Sequence, residues 1–429
     1  GREGERGRER MGESAQVDVL CMACDDKLCD FRPRRLVRRP LGPHDVLLHL
    51  SFCGVCHSDL HIASEHMRGI GMKTEYPIVP GHELAGVCVQ VGHAVTKIKV
   101  GDHVGVGCLV DSCFECNACQ RGEENNCKKQ VFTYNGRDWS GRAATPGRKT
   151  TLGGYSDKYV VHERFAVLIP KSYPLEAAGP IMCAGSTMYD PLRRYGATKG
   201  TRVAIVGLGG LGILGIKLAK ALGCEVTAIS RSVAKKTIAT EAGATSFVVS
   251  VDPKSMREAK QAFDLILNTI PSSFDYRSYQ RLVKPGGRQV ILGLCAPFVG
   301  AMVSEGLFGR QKSPIVSSYI SGIKGTQEVM NLCAENNILP LVELRPIKDL
   351  NAIYQALDQS NSDGVRYVLD IGGTLNEKAF EECLATRPQL KLSNTRVSVG
   401  PVAGNIFSML MSILVHRFPT GRKGAKNVV

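Results

Sequence analysis

The chain has 429 residues, and its 43% hydrophobic content excludes a wholly disordered protein and allows sizeable cores; at roughly 150 residues per domain the length suggests two or three domains. Lys and Arg number 54 against 40 Asp and Glu, for a net charge of +14, but residues 373–429 hold 8 basic and 3 acidic residues, so 5 of those charges sit in the tail. The body has no continuous polybasic block, so no nucleic-acid partner is expected, and the longest apolar run, Ile406 to Val415, falls short of the roughly 20 residues that span a bilayer, so no membrane is expected either.

In chain order, the first ten residues, GREGERGRER, are charged and simple in composition, and disorder is expected over 1–16. From 17 to 182, short apolar runs are broken by Gly and Pro: Asp45-Val-Leu-Leu-His-Leu, Leu84-Ala-Gly-Val-Cys-Val-Gln-Val and Lys158-Tyr-Val-Val predict strands of a mainly β domain. Over 183–318 the pattern changes. Val203-Ala-Ile-Val-Gly leads through a glycine-rich turn into a helical pattern ending at Leu222. Further strands are expected at Glu225-Val-Thr-Ala-Ile-Ser, Ser246-Phe-Val-Val-Ser, Phe263-Asp-Leu-Ile-Leu-Asn and Arg288-Gln-Val-Ile-Leu-Gly. Strands alternating with helices predict a parallel sheet. The stretch 319–371 closes on a strand, Val365-Arg-Tyr-Val-Leu-Asp-Ile, and 372–429 shows no clear period.

Sixteen cysteines occur, and the charged opening lacks the apolar stretch of an export signal, so metal binding is expected of them before disulfides. Cys113, Cys116, Cys119 and Cys127 lie within one 15-residue loop. Four thiolates at that spacing suit a closed, tetrahedral structural zinc with no position left for substrate. Neighbouring Cys108 reads as a packing residue. A second, scattered set is Cys53-Gly-Val-Cys56-His57-Ser58-Asp59-Leu-His61 with Gly81-His82-Glu83. A catalytic zinc needs about three protein ligands and an open position, which Cys, His and an acidic group or a second Cys could supply. Cys53, in an apolar run, reads as packing.

The turn Gly207-Leu208-Gly209-Gly210-Leu211-Gly212 follows a strand and opens a helix, the context in which G-x-G-x-x-G binds a dinucleotide. The helix start then offers its positive end to the pyrophosphate. An NAD site places a carboxylate about 20 residues later, on the ribose hydroxyl. Here that position reads Ser230-Arg231-Ser232, followed by Lys235 and Lys236. The missing acid and the nearby cations favour a 2′-phosphate, hence NADP(H) over NAD.

Taken together, CGVCHSDLH, PGHELAG, VGDHVGVG, the four-cysteine loop, GGYSDKYVV, CAGSTMYDPL, GLGGLG and ISRS, in that order, resemble the zinc-dependent medium-chain dehydrogenase/reductases, and within them the cinnamyl-alcohol-dehydrogenase branch with its NADP-dependent alcohol dehydrogenases. The resemblance covers residues 17–371. It implies an α/β protein built from a GroES-like β domain (17–182 and 319–371) and a Rossmann domain with a doubly wound parallel sheet (183–318), followed by an extension, 372–429, outside the catalytic machinery. It implies two Zn2+ per chain: a catalytic ion on Cys56, His82 and Cys183, with Glu83 as exchangeable fourth ligand, and a structural ion on the four-cysteine loop. Ser58 would carry the hydroxyl of a proton relay, His61 would be its outer base, and Asp59 would orient a zinc ligand. His57, Ser58, Thr187, the turn 207–212, Ser230, Arg231, Ser232, Lys235, Thr269, Gly293 and the Ser318-Tyr319-Ile320 stretch would contact NADP(H). The implied reaction is hydride transfer between NADPH and a small aldehyde or primary alcohol, in a cytoplasmic homodimer. The segment Ile62-Ala-Ser-Glu-His-Met-Arg-Gly has no Trp where the family often has one, so no aromatic preference is implied. A non-catalytic NADPH-binding protein is the alternative, against which the intact set Cys56, His82, Cys183, Ser58 and His61 argues.

Overall fold

The computed structural model describes residues 16–70, 72–271, 274–292, 315–359, 364–378 and 381. Gly293, the run 406–415 and most of both end extensions lie outside them.

The chain begins with an antiparallel pair, β1 (Val17–Ala23) and β2 (Arg32–Arg38). β3 (Asp45–Gly54), β4 (Glu83–Val91) and β5 (His103–Val106) follow, then the short antiparallel pair β6 (Leu109–Asp111) and β7 (Val131–Phe132), then β8 (Lys158–His162) and β9 (Val167–Ile169). β4, β5 and β9 extend antiparallel from β3, and β8 also pairs with β3. The β3–β4 register sets Gly54 opposite Glu83. Cys56 and His82, just beyond those strand ends, are therefore brought to one place by backbone pairing.

The second sheet holds β10 (Arg202–Val206), β11 (Glu225–Ser230), β12 (Ser246–Val249), β13 (Phe263–Asn268), β14 (Val283–Leu292) and β15 (Ile315–Ser318), all parallel. Among the described residues their spatial order is β12-β11-β10-β13-β14-β15. That is the doubly wound order 3-2-1-4-5-6, whose crevice opens where the order reverses, between β10 and β13. Val203, Ile205, Val226, Ile266 and Val290 are fully buried, because helices cover both faces of such a sheet and its strands become continuous apolar runs.

After β15 the chain returns to the first sheet. β16 (Val342–Pro346) lies parallel to β17 (Arg366–Asp370), and β17 runs antiparallel to β3 with Val368 opposite Gly54. This carries Arg366 to the same sheet end as Cys56 and Glu83. The packed body also runs past Ile371, where the sequence suggested an extension: Leu375 is buried in the core of the first sheet, and Thr374 Oγ1 accepts a 2.9 Å hydrogen bond from Ile347 N. No helix among the described residues is long and apolar enough to cross a membrane.

Candidate active site and metal centres

The sheet end just described holds the first ligand cluster. Cys56 caps the helix His57–Ala63, His82 immediately precedes β4 and Glu83 opens it, and Cys183 sits in a single π-helical turn, Ile181–Gly185, inserted between two helical stretches. Such turns widen the spiral locally and recur at functional sites. The ligand atoms of Cys56, His82, Glu83 and Cys183 all lie within 4.8 Å of one another, and all four residues are buried. His82 Nε2 is 3.2 Å from Cys183 Sγ, while its Nδ1 lies 2.8 Å from Asp59 Oδ1. With Nδ1–H donating to Asp59, Nε2 keeps its lone pair for a metal. Asp59 is fully buried and is itself held on every side: Cys56 N donates to Oδ2 at 2.8 Å, Tyr155 OH to Oδ2 at 3.1 Å, and Gly81 N to Oδ1 at 3.2 Å.

Glu83 is fully buried and neither of its oxygens is engaged in a hydrogen bond that would compete with a metal. Burial pushes its pKa up to about 7 against the pull of Arg366, whose Nη2 lies 3.4 Å from Oε1. The soft thiols of Cys56 and Cys183, an oriented imidazole and a buried carboxylate together fit a zinc centre with an exchangeable position.

The second cluster is the four-cysteine loop between β6 and β7. Cys113, Cys116, Cys119 and Cys127 likewise gather within 4.8 Å, with Sγ–Sγ separations of 3.8 Å (Cys113–Cys119), 3.5 Å (Cys116–Cys119) and 3.5 Å (Cys127–Cys113). Zinc–sulfur bonds of about 2.3 Å place tetrahedral thiolates about 3.8 Å apart, so the set fits such an ion. Burial raises the Cys113 thiol, but the N–H groups of Cys116 and Glu115 more than offset it and leave it at about 6, poised as thiolate. Arg164 ties the loop to the body through the Cys119 carbonyl and Glu124, and Glu124 Oε2 accepts from Ile323 N at the start of the helix Ile323–Glu335.

At the crevice of the parallel sheet, Gly207 turns the chain with φ of +88°. A Cβ on Gly209 would meet nothing within 4 Å, whereas one on Gly212 would lie 1.9 Å from the Gly207 carbonyl oxygen. The middle glycine thus leaves open space at the helix start, and the last permits close contact of helix and turn, the arrangement that admits a pyrophosphate. Thr269 Oγ1 donates to the carbonyls of Val206 and Gly207, joining β13 to this turn. Ser230 ends β11, Arg231 and Ser232 are exposed beside it, and Lys235 Nζ donates to the Leu208 carbonyl at 3.3 Å. A group at the ribose would therefore meet cations and no carboxylate from this segment.

Other expected residues are more dispersed. Thr187 is buried in the helix Ser186–Arg194, and Ser318 Oγ donates to Asp190 in that helix at 2.7 Å. The Ile320 carbonyl accepts from Asn125, and the Tyr319 ring meets Phe132 edge to face at 6.2 Å. Ser58 is exposed on the first helical turn, and His57 beside it is half-buried. His61 Nδ1 lies 3.3 Å from His66 Nδ1. Cys108 packs against the core of the first sheet, as the sequence reading expected. Arg366, Tyr155 and His66 lie in segments quoted from the sequence, a strand, a family motif and the stretch after His61, but no role follows for them from the sequence because their partners are distant or met through a turn.

The family model "Alcohol dehydrogenase GroES-like domain" matches residues 42–171, and "Zinc-binding dehydrogenase" matches 210–335. The chain is 42% identical over 337 residues to a Mycobacterium bovis protein named NADP-dependent alcohol dehydrogenase C, covering 78% of this chain and 93% of the relative. It is 43% identical over 361 residues to cinnamyl alcohol dehydrogenase 2 of Rauvolfia serpentina, covering 84% and 96%. A solved structure titled as the cinnamyl alcohol dehydrogenase of Helicobacter pylori complexed with NADP(H) superposes with a TM-score of 0.74 at 35% identity, covering 84% of this chain and all of that one. With both halves matched and relatives aligned almost end to end, the chain belongs to the zinc-dependent medium-chain dehydrogenase/reductases, in the cinnamyl-alcohol-dehydrogenase-like branch.

Proposed function

We propose that this protein is an NADP-dependent alcohol dehydrogenase that interconverts small aldehydes and primary alcohols, with NADPH-driven aldehyde reduction as its main direction. The observation that carries the reading is the convergence of Cys56, His82, Cys183 and Glu83 within 4.8 Å. The open glycine turn and the cationic Ser230–Lys235 segment support NADP(H), as does the name of the M. bovis relative.

In this reading Cys56, His82 and Cys183 hold the catalytic ion, with Glu83 at the exchangeable position, and Cys113, Cys116, Cys119 and Cys127 hold a structural one. When bound, the catalytic zinc polarises the substrate oxygen and the nicotinamide exchanges the hydride. The chain's own residues do the rest. Asp59 fixes the His82 tautomer, and Tyr155, the Cys56 N–H and the Gly81 N–H hold Asp59 in place. Ser58 hands the substrate proton on towards His61. Gly207–Gly212 seat the pyrophosphate, while Ser230, Arg231 and Lys235 receive the 2′-phosphate. His57, Thr187, Thr269 and Ser318–Ile320 complete the cofactor cleft between a GroES-like domain (17–182 and 319–371) and a Rossmann domain (183–318). The family resemblance supports a cytoplasmic homodimer as the working form.

The test is NADPH oxidation by purified protein against a panel of aliphatic and aromatic aldehydes, paired with Ser230→Asp/Arg231→Ala. Each lost charge-assisted contact to the phosphate is worth about 1.5–3 kcal/mol, so cofactor preference should move towards NADH by roughly ten-fold or more. Equal kcat/KM with NADPH and NADH in the unaltered protein refutes the cofactor assignment, and no turnover with any aldehyde or alcohol refutes the activity.

A further inference from the structure

Beyond His61, a second imidazole continues outward. The helix His57–Ala63 ends at Ser64, and Glu65 takes up φ of +56°, a conformation in which non-glycine residues are uncommon. That reversal folds the short turn His66–Ile70 back on the helix and brings His66 Nδ1 to 3.3 Å from His61 Nδ1, with ring centroids 5.6 Å apart. Two anchors hold the helix end in place: Thr74 Oγ1 donates to the Ile62 carbonyl and Tyr76 OH to the Ala63 carbonyl, each at 2.6 Å. On the inner side His57 lies 6.2 Å from His61 between ring centroids. The three imidazoles form a row from the Cys56 end of the helix towards the surface, where His66 is half-buried.

We propose that His66 is the outer member of the proton relay, taking the proton from His61 and exchanging it with solvent. The proposal rests on the relay reading above, in which His61 is the base reached from Ser58. It acts through His61 and does not touch substrate.

An Nδ1–H···Nδ1 bond between two neutral rings needs one donor and one acceptor. When a proton arrives at His61 Nε2 during alcohol oxidation, the His61 Nδ1–H bond breaks as an N–H bond forms at His66 Nδ1, and His66 then loses its Nε2 proton to water. Aldehyde reduction runs the same transfers backwards, with no other reactant. The surroundings favour a carrier that does not trap the proton. Burial, with repulsion from His57 and His66, holds His61 down at about 4, and burial also lowers His66. Opposing these are Asp358, from the neighbouring helix Leu350–Gln359, which favours charge on both rings, and Cys56, which favours it on His61. On the turn itself Glu65 and Arg68 pair with each other at 3.2 Å.

The test is stopped-flow proton release, read with an indicator dye, when zinc-loaded protein and NADP+ are mixed with a primary alcohol. His66→Gln keeps an amide near His61 Nδ1 but cannot carry a proton. It should slow the release phase by about ten-fold or more while leaving KM and zinc content unchanged. His66→Ala should be slowed likewise and recover with added imidazole, a response that a purely structural role would not give. His61→Gln is run in parallel. If His61→Gln slows release and both His66 variants match the unaltered protein, the proton leaves directly from His61 and the proposal is overturned while the relay stands. If none of the three slows release, the relay reading fails and the proposal with it. If His66→Gln loses zinc, the imidazole response of His66→Ala decides, and its absence overturns the proposal.

Discussion

Arg366 Nη2 lies 3.4 Å from Glu83 Oε1, one side chain from β17 and the other from the first residue of β4, among the candidate metal ligands. Arg366 also donates to the Val55 carbonyl at 3.2 Å, so the guanidinium spans the strand ends that carry the site. It supplies the charge that lets a fully buried carboxylate persist.

Removing one partner of a buried ion pair strands the other. Arg366→Met should destabilise the protein by about 3 kcal/mol, whereas Arg366→Met/Glu83→Gln should lose much less than the sum of the single changes. Chemical denaturation of the single and double variants measures this. Additive losses would mean the pair is not energetically coupled.

The two thiol clusters predict two kinds of failure. Cys116→Ser should impair folding, because a structural zinc contributes directly to fold stability. Cys183→Ser should leave the fold intact and abolish turnover. Elemental analysis should find two zinc ions per chain in active protein; one or none would contradict the ligand assignment.

Gly209 and Gly212 should respond oppositely to alanine. A Cβ at Gly212 meets the Gly207 carbonyl at 1.9 Å, backbone against backbone, so Gly212→Ala should cost about 2–3 kcal/mol. At Gly209 a Cβ meets nothing within 4 Å, and its φ of −90° suits any residue. Gly209→Ala should therefore keep stability within about 0.5 kcal/mol. It should nevertheless weaken NADPH binding by roughly ten-fold, because the methyl group fills space reserved for the pyrophosphate. Thermal unfolding and a fluorescence titration with NADPH separate the two effects.

His61 makes stability depend on pH. Burial first, then His57 and His66, lowers it from 6.5 to about 4 in the folded state. Between those values the unfolded chain binds a proton that the native one does not, so stability is complete above pH 6.5 and falls as pH drops towards 4. The full loss is of order 3 kcal/mol. Denaturant midpoints at neutral and mildly acidic pH should show this, and His61→Gln should remove that part of the slope. An unchanged slope would mean that His61 is not held neutral by the fold.

The sequence alone determined what is local. Cys113 to Cys127 lie in one loop, so their spacing limits how far apart the thiols can be and already specifies a closed metal site. The turn Gly207–Gly212 is likewise written in adjacent residues, and the apolar runs at Val203, Glu225, Phe263 and Arg288 mark a parallel sheet because both its faces are covered. The tertiary structure decided what is distant. Cys56 and His82 meet because Gly54 pairs with Glu83; Arg366 arrives because β17 returns to β3; Cys183 is aimed by one π-helical turn. His66 reaches His61 only through the left-handed Glu65. Such meetings depend on strand register and on single backbone angles, set by the packing of the whole core and not by the residues on either side.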